Sequence, residues 1–160
     1  MLKLEANPAD VASIDSIITA VYDGISGPAG KKRDWDRERS LYIPGARLIP
    51  TAMKPGTENM DLAPHILDIE GFIARVEPFF EESGFHEKEI ARRTQQFGQM
   101  AHVWSTYESR HSEDDPEPFM RGINSVQLFN DGRRWWIVSI YWQQENASAP
   151  IPQEYLPGAD

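Results

Sequence analysis

The 160-residue chain contains no cysteine, which removes disulfide frameworks, thiolate metal sites, cysteine nucleophiles and thiol redox chemistry together. Basic residues are in deficit: 16 Lys and Arg against 25 Asp and Glu leave a formal charge of −9. Phosphate-rich and anionic surfaces demand a basic face, so the balance argues against nucleic acid and membrane as partners. No stretch approaches the roughly 20 apolar residues that span a bilayer. Met1-Leu2-Lys3-Leu4-Glu5 carries no apolar leader core, and the expectation is a soluble, cytoplasmic protein. What is present is ordinary for a globular chain: 40% hydrophobic, 26% charged and 11% aromatic residues, enough for one core.

Asn7-Pro8-Ala9-Asp10 opens a helix, with Asn as N-cap, Pro in the first turn and an early acid. Val11, Ile14, Ile18, Val21 and Ile25 recur at helical spacing, so one helix is expected over 8–26, ended by Gly24, Gly27, Pro28 and Gly30. The charged run 31–40 reads as a short helix, and 46–53 as an edge strand that tolerates Pro50. A turn is expected at Lys54-Pro55-Gly56 and a further short strand over 62–69. Phe72, Ile73, Val76, Phe79 and Phe80 make a helical stripe over 70–83, with Pro78 inside it.

From Phe85 the period changes from helical to alternating. Segments 85–97, 100–111, 120–130 and 133–144 read as an antiparallel meander, with tight turns at Phe97-Gly98-Gln99 and Asn130-Asp131-Gly132. Residues 1–145 form one domain, and the Pro- and Gly-containing tail 146–160 reads as an extended arm.

Strict alternation puts Met100, His102, Trp104, Thr106 and Glu108 on one face of the second long strand, and Ala101, Val103, Ser105 and Tyr107 on the other. The last strand is apolar on both faces, with Trp135, Ile137 and Tyr141 on one and Trp136, Val138, Ile140 and Trp142 on the other. The helices can cover a single face, so the second is expected to meet another copy of the chain, giving a homodimer through the sheet.

Several segments carry the order of a known family: Tyr22-Asp23-Gly24-Ile25-Ser26-Gly27, then Leu41-Tyr42-Ile43-Pro44-Gly45-Ala46-Arg47-Leu48-Ile49. They are followed by Gly98-Gln99-Met100-Ala101-His102-Val103-Trp104 and Asp131-Gly132-Arg133-Arg134-Trp135-Trp136-Ile137-Val138. Over 8–145 the chain resembles the nuclear transport factor 2-like (NTF2-like), or cystatin-like cone, superfamily, and most closely its SnoaL-like and DUF4440-type bacterial members. The resemblance implies an α+β cone, helices packed on a strongly curved antiparallel sheet, with a pocket between helices and the concave face. Ketosteroid-isomerase-like relatives use a tyrosine on the first helix as oxyanion donor, which Tyr22 matches. Their general base has no counterpart here, since the region expected to hold it reads Leu48-Ile49-Pro50-Thr51.

Two residues are therefore catalytic candidates, Tyr22 and His102; the latter titrates near working pH, or else packs against Trp104 with a satisfied ring nitrogen. Tyr107 is a candidate for ligand contact or for the core. The segment 30–39 places Trp35 among paired charges, and Arg33, with Arg37 and Arg39, offers a fork for a ligand carboxylate or phosphate, or makes helix-surface ion pairs. Arg121 and Asn124 flank Gly122, which in a strand marks a bulge or a close approach; Asn124, if inward, is a ligand hydrogen-bonder. His65, His86 and His111 show no metal-ligand spacing, and no cofactor is expected. The leading expectation is a binding protein for a small apolar or aromatic metabolite. The alternatives are a cofactor-independent isomerase, dehydratase or cyclase, and a protein-interaction module using the sheet face.

Overall fold

The computed structural model describes residues 5–51 and 64–159. The elements are α1 (Pro8–Val11), α2 (Ile14–Ile25), α3 (Trp35–Arg39), β1 (Tyr42–Pro50), α4 (Ile69–Glu82), β2 (His86–Phe97), β3 (Met100–Arg110), β4 (Met120–Asn130) and β5 (Trp135–Gln144). Asn7 caps the start, its side chain accepting from the Ala9 amide at 3.1 Å. The helix expected over 8–26 is nevertheless two. Ser13 accepts from the Ser16 amide at 3.0 Å while the Ser16 hydroxyl accepts from the Ser13 amide at 2.9 Å. This reciprocal capping box starts α2 afresh and competes successfully with helix continuation.

The strand order is β1-β5-β4-β3-β2. Strands β2 to β5 form the expected antiparallel meander. The sheet as a whole is mixed, not antiparallel throughout, because β1 runs parallel to β5. A parallel neighbour needs a long crossover, which the excursion through α4 and the meander supplies. Its edge position also suits Pro44 and Pro50, which cannot donate to a ladder. Of the segment expected as a strand over 62–69, Leu67 makes an isolated bridge to Leu48 and Ile69 already belongs to α4; residues 62–63, 52–53 and the expected turn at 54–56 lie outside the described residues.

Strict alternation fails in β5. The pairing with β4 shifts between Gln127↔Ser139 and Leu128↔Ile137, so Val138 is an extra residue on β5. The bulge reverses the phase: Trp135, Ile137 and Ile140 are all buried in one core with Ala101, Val103, Tyr107, Val126 and Leu128, while Tyr141 is exposed on the outer face. Helix α2 supplies Ile17, Ile18, Val21 and Tyr22 to that core. A second cluster, Ile25, Trp35, Ile73, Phe80 and Phe85, closes the fold where α3 and α4 meet β2.

The tail returns over the outer face. Thr106 Oγ1 donates to the Tyr155 carbonyl at 2.7 Å, Arg93 to the Glu154 carbonyl at 3.0 Å, and the Tyr155 ring lies 5.7 Å from Trp104. Part of the surface that alternation assigned to a second copy is thus covered in cis.

Candidate functional site

Between α2, α4 and the inner sheet face lies a cavity of about 230 Å³. Val21 and Ile25 of α2, Leu48 of β1, Phe72 and Val76 of α4 and Trp142 of β5 give it apolar walls. Phe72 stands edge-on to Trp142 with ring centroids 6.0 Å apart. Set into these walls are Glu38, Tyr42, Glu87, Tyr107 and Asn124. A largely apolar concavity with a few polar groups in its lining is the usual form of a small-molecule site.

One group of polar residues belongs to β2, β3 and β4. Asn124 donates from Nδ2 to the Tyr22 hydroxyl at 2.9 Å, and Tyr22 and Ser105 are 2.7 Å apart. Ser105 donates in turn to Glu89, whose carboxylate Arg92 holds at 2.8 and 2.9 Å. Beside this chain, Ser109 donates to Glu87 Oε2 at 2.8 Å. Burial lifts the Glu87 carboxyl to about 7, the Ser109 hydrogen bond pulling the other way. Burial, and then the nearby Glu87 charge, push both Tyr22 and Tyr107 far above the ordinary phenol value. Glu87 also borders an open cleft of about 570 Å³ on the far side, between α2 and β2.

The other polar end is Glu38. Helix α3 is clamped from outside: Arg37 forks onto Asp10 at 2.8 and 3.0 Å and reaches Asp23 at 2.7 Å, and Arg39 forks onto Glu70 at 2.6 and 3.0 Å. These pairs fix the helix's outer side, so Glu38 turns inward and is 0% exposed. Its Oε1 accepts from the Tyr42 hydroxyl at 3.2 Å; its Oε2 has no partner among the described residues and lies against Gly24, where any Cβ would overlap it. Burial lifts this carboxyl to about 8, against the opposing pull of Tyr42 and Arg37. At neutral pH Glu38 is a buried, protonated acid.

No family model and no curated protein matches the sequence. Solved structures do match. A protein of unknown function with a cystatin-like fold from Nostoc punctiforme superimposes with a TM-score of 0.62 at 9% identity, over 85% of this chain and 91% of that one. An NTF2-like protein of unknown function from Pseudomonas putida gives 0.60 at 13%, over 92% of each chain. A candidate ketosteroid isomerase from Parabacteroides distasonis gives 0.55 at 13%, over 92% of this chain and 99% of that one. The fold is NTF2-like.

The NTF2-like sheet brings together some of the residues singled out from sequence and separates others. Tyr107 and Asn124 line the cavity. Tyr22 is buried beside it, but its proton is committed to Ser105, which leaves no free oxyanion donor. His102 lies on the outer face, where Nε2 meets Ser125 Oγ at 3.0 Å and the ring stands edge-on to Trp104 at 5.9 Å. Arg33 is buried and closes the end of α2, donating to the carbonyls of Ile25, Gly27, Pro28 and Lys31 at 2.7–3.2 Å, with its guanidinium 4.5 Å from the Phe80 ring centroid. Every nitrogen is thus engaged by the backbone, and four of the five N–H groups are spent. Trp35 stacks on Phe80 at 6.2 Å and donates to Glu77 at 3.2 Å, away from the cavity lining. Arg121 is engaged by Glu145 at 2.9 and 3.1 Å.

Glu38, Tyr42 and Glu87 were not singled out from sequence. Glu38 sits in a run of alternating charge that reads as a solvated helix face. The available signal was Gly24 in the interior of an amphipathic helix, which costs helix stability and implies a close approach. Strand β2 carries polar residues on both of its alternating faces, so the pattern does not say which of its acids points inward.

Proposed function

We propose that the protein binds a small apolar or aromatic metabolite in the cavity between α2, α4 and the inner sheet face, without a cofactor. The observation that supports this most strongly is the combination of a half-open, mostly apolar 230 Å³ space with Asn124, Tyr107 and Glu87 in its lining. The Val76 side chain is half-buried on α4 and lines this space, so a larger side chain there has room to enter. Val76→Trp is expected to abolish binding of 2-phenylethanol, read by isothermal titration calorimetry, while leaving the circular dichroism spectrum unchanged. Undiminished binding to that variant places the ligand elsewhere.

A second reading, acid–base chemistry of the isomerase, dehydratase or cyclase kind, is favoured by one feature. A carboxyl lifted to about 7 borders the cavity, and general acids and bases work best near the operating pH. Turnover of a bound molecule that disappears in Glu87→Gln separates this reading from binding alone.

We extend the proposal to a homodimer. On the outer face Phe97, Met100, Phe129 and Tyr141 are exposed. Pairing places Phe97, Met100, Phe129 and Trp136 in one cross-strand row, with Gln95, His102, Gln127 and Ser139 in the neighbouring row. Neither row itself holds a formally charged side chain other than His102 on protonation, and the charges against Trp136 are of both signs, the Arg134 guanidinium 3.6 Å from its ring centroid and Asp131 accepting from its Nε1 at 2.8 Å, so two copies of this acidic chain can meet there with little repulsion. Sedimentation at micromolar concentration reads the mass directly: twice 18.2 kDa supports this contact, and a single 18.2 kDa species at all concentrations rejects it.

A further inference from the structure

The hydrogen bonds between the surface of β2 and the cavity run in one direction. Arg92 bridges Glu89 at 2.8 and 2.9 Å and pairs with Asp15. A carboxylate held in this way can only accept, so the Ser105 proton points at Glu89. With its one proton spent, Ser105 Oγ accepts from the Tyr22 hydroxyl at 2.7 Å. Tyr22, its proton spent in turn, accepts from Asn124 Nδ2 at 2.9 Å. Rotating the Asn124 amide by half a turn would set Oδ1 against a phenol oxygen that has no proton left to give. A half-buried ion pair on the edge strand therefore decides which end of an amide faces Tyr22. Asn124 Oδ1 is left with no hydrogen-bond partner among the described residues, on a residue that lines the cavity and is only 9% exposed.

Two further polar groups line the same cavity. Glu87 borders the same cavity, its Oε2 taken by Ser109 and its charge felt by both Tyr22 and Tyr107. The Tyr107 hydroxyl completes the set, placed there because Gly122 has no Cβ to obstruct it. Among the described lining residues the one cation is Arg75, on the exposed side of α4. An anionic head group would meet an amide oxygen and a carboxyl, whereas an ammonium donates to both and can also use a lone pair of the Tyr107 hydroxyl, which keeps its own proton. The aromatic walls, Phe72 and Trp142 among them, favour a cation over their faces as well.

Resting on the ligand site proposed above, we infer that the molecule it takes is a small amine: an apolar or aromatic body carrying a protonated nitrogen seated against Asn124 Oδ1 and the Glu87 carboxylate. Asn124 and Glu87 are then the specificity-determining residues, and Tyr22, Ser105, Glu89 and Arg92 position Asn124.

The test uses three molecules with the same ring and chain and different heads: 2-phenylethylamine, 2-phenylethanol and phenylacetate. Each is titrated calorimetrically into the full chain at neutral pH. A charge-assisted contact in place of a neutral one is expected to favour the amine over the alcohol by about tenfold or more, with the acid weakest. In Glu87→Gln that preference is expected to vanish, amine and alcohol then binding with similar strength. An alcohol or acid that binds the native chain as tightly as the amine overturns the inference and leaves the ligand site standing. Preference for the amine that survives in a folded Glu87→Gln protein also overturns it. Binding of none of the three overturns the ligand site and the inference together. The ranking on the native chain decides the matter even where the variant fails to fold.

Discussion

Replacing Glu38 with glutamine is expected to flatten the pH dependence of stability and to stabilise the protein at pH 8. The carboxyl has an ordinary value of 4.5 and is lifted by burial to about 8 in the fold. Between those values the unfolded chain has released the proton and the folded chain still holds it. The unfolded state therefore binds fewer protons, and stability falls as pH rises through the window. At 1.36 kcal/mol per unit, the loss attributable to Glu38 is on the order of 4 kcal/mol by pH 8 and absent below pH 4.5. Arg37, Asp10, Asp23 and Tyr42 are the charged and titratable groups that act on it. None of them is altered by the substitution, and Tyr42 can still donate to the amide oxygen. Thermal or urea unfolding of both proteins from pH 5 to 8 checks this. The native midpoint should drop steeply, with the variant curve shallower and crossing above it. Parallel curves would show that Glu38 keeps its ordinary acidity and is not the buried acid described here.

Substituting Gly122 by alanine is expected to cost about 3 kcal/mol, the upper part of the usual range for forcing a methyl into a packed interior. A Cβ on Gly122 would overlap the Tyr107 hydroxyl on one side and the Gln143 carbonyl on the other. A flexible side chain can give way, but the carbonyl belongs to β5, paired directly with β4 across Gly122↔Gln144 and Ile123↔Gln143. The strand itself must shift. Urea unfolding measures the loss, and Tyr107→Phe in the same background should recover only part of it, because the ring and the carbonyl remain in the way. A cost below about 1 kcal/mol, typical of a tolerant surface position, would mean that β4 and β5 are free to move apart at this point.

That close approach was legible in the sequence, since a glycine between Arg121 and Ile123 weakens the strand that holds it and marks a bulge or a neighbour that needs the space. The meander was equally legible, because hairpin turns and alternation are local signals. The parallel pairing of β1 with β5 was not: it joins residues such as Leu48 and Ile140, and nothing near either residue records the partnership. The bulge at Val138 escaped for a related reason. In a strand that is apolar on both faces, a reversal of phase leaves no mark on the pattern, so Trp142 was assigned to the face opposite Trp135 when both belong to the interior. The polar lining of the cavity was half legible. Tyr107 and Asn124 stood out on meander strands, whereas Glu38 was hidden by its charged neighbours, whose pairing with Asp10, Asp23 and Glu70 is what turns it inward. The outward pairs and the inward acid belong to one five-residue helix, and only the tertiary partners distinguish them.

If the space between α2, α4 and the inner sheet face is a ligand site, a crystal soaked with 2-(4-bromophenyl)ethanol shows it most directly, because anomalous scattering locates the bromine without reference to the protein. The expected result is a bromine peak between Phe72, Val76 and Trp142, with the hydroxyl directed toward Asn124. A peak confined to the outer face, or none in the cavity at saturating ligand, would contradict it.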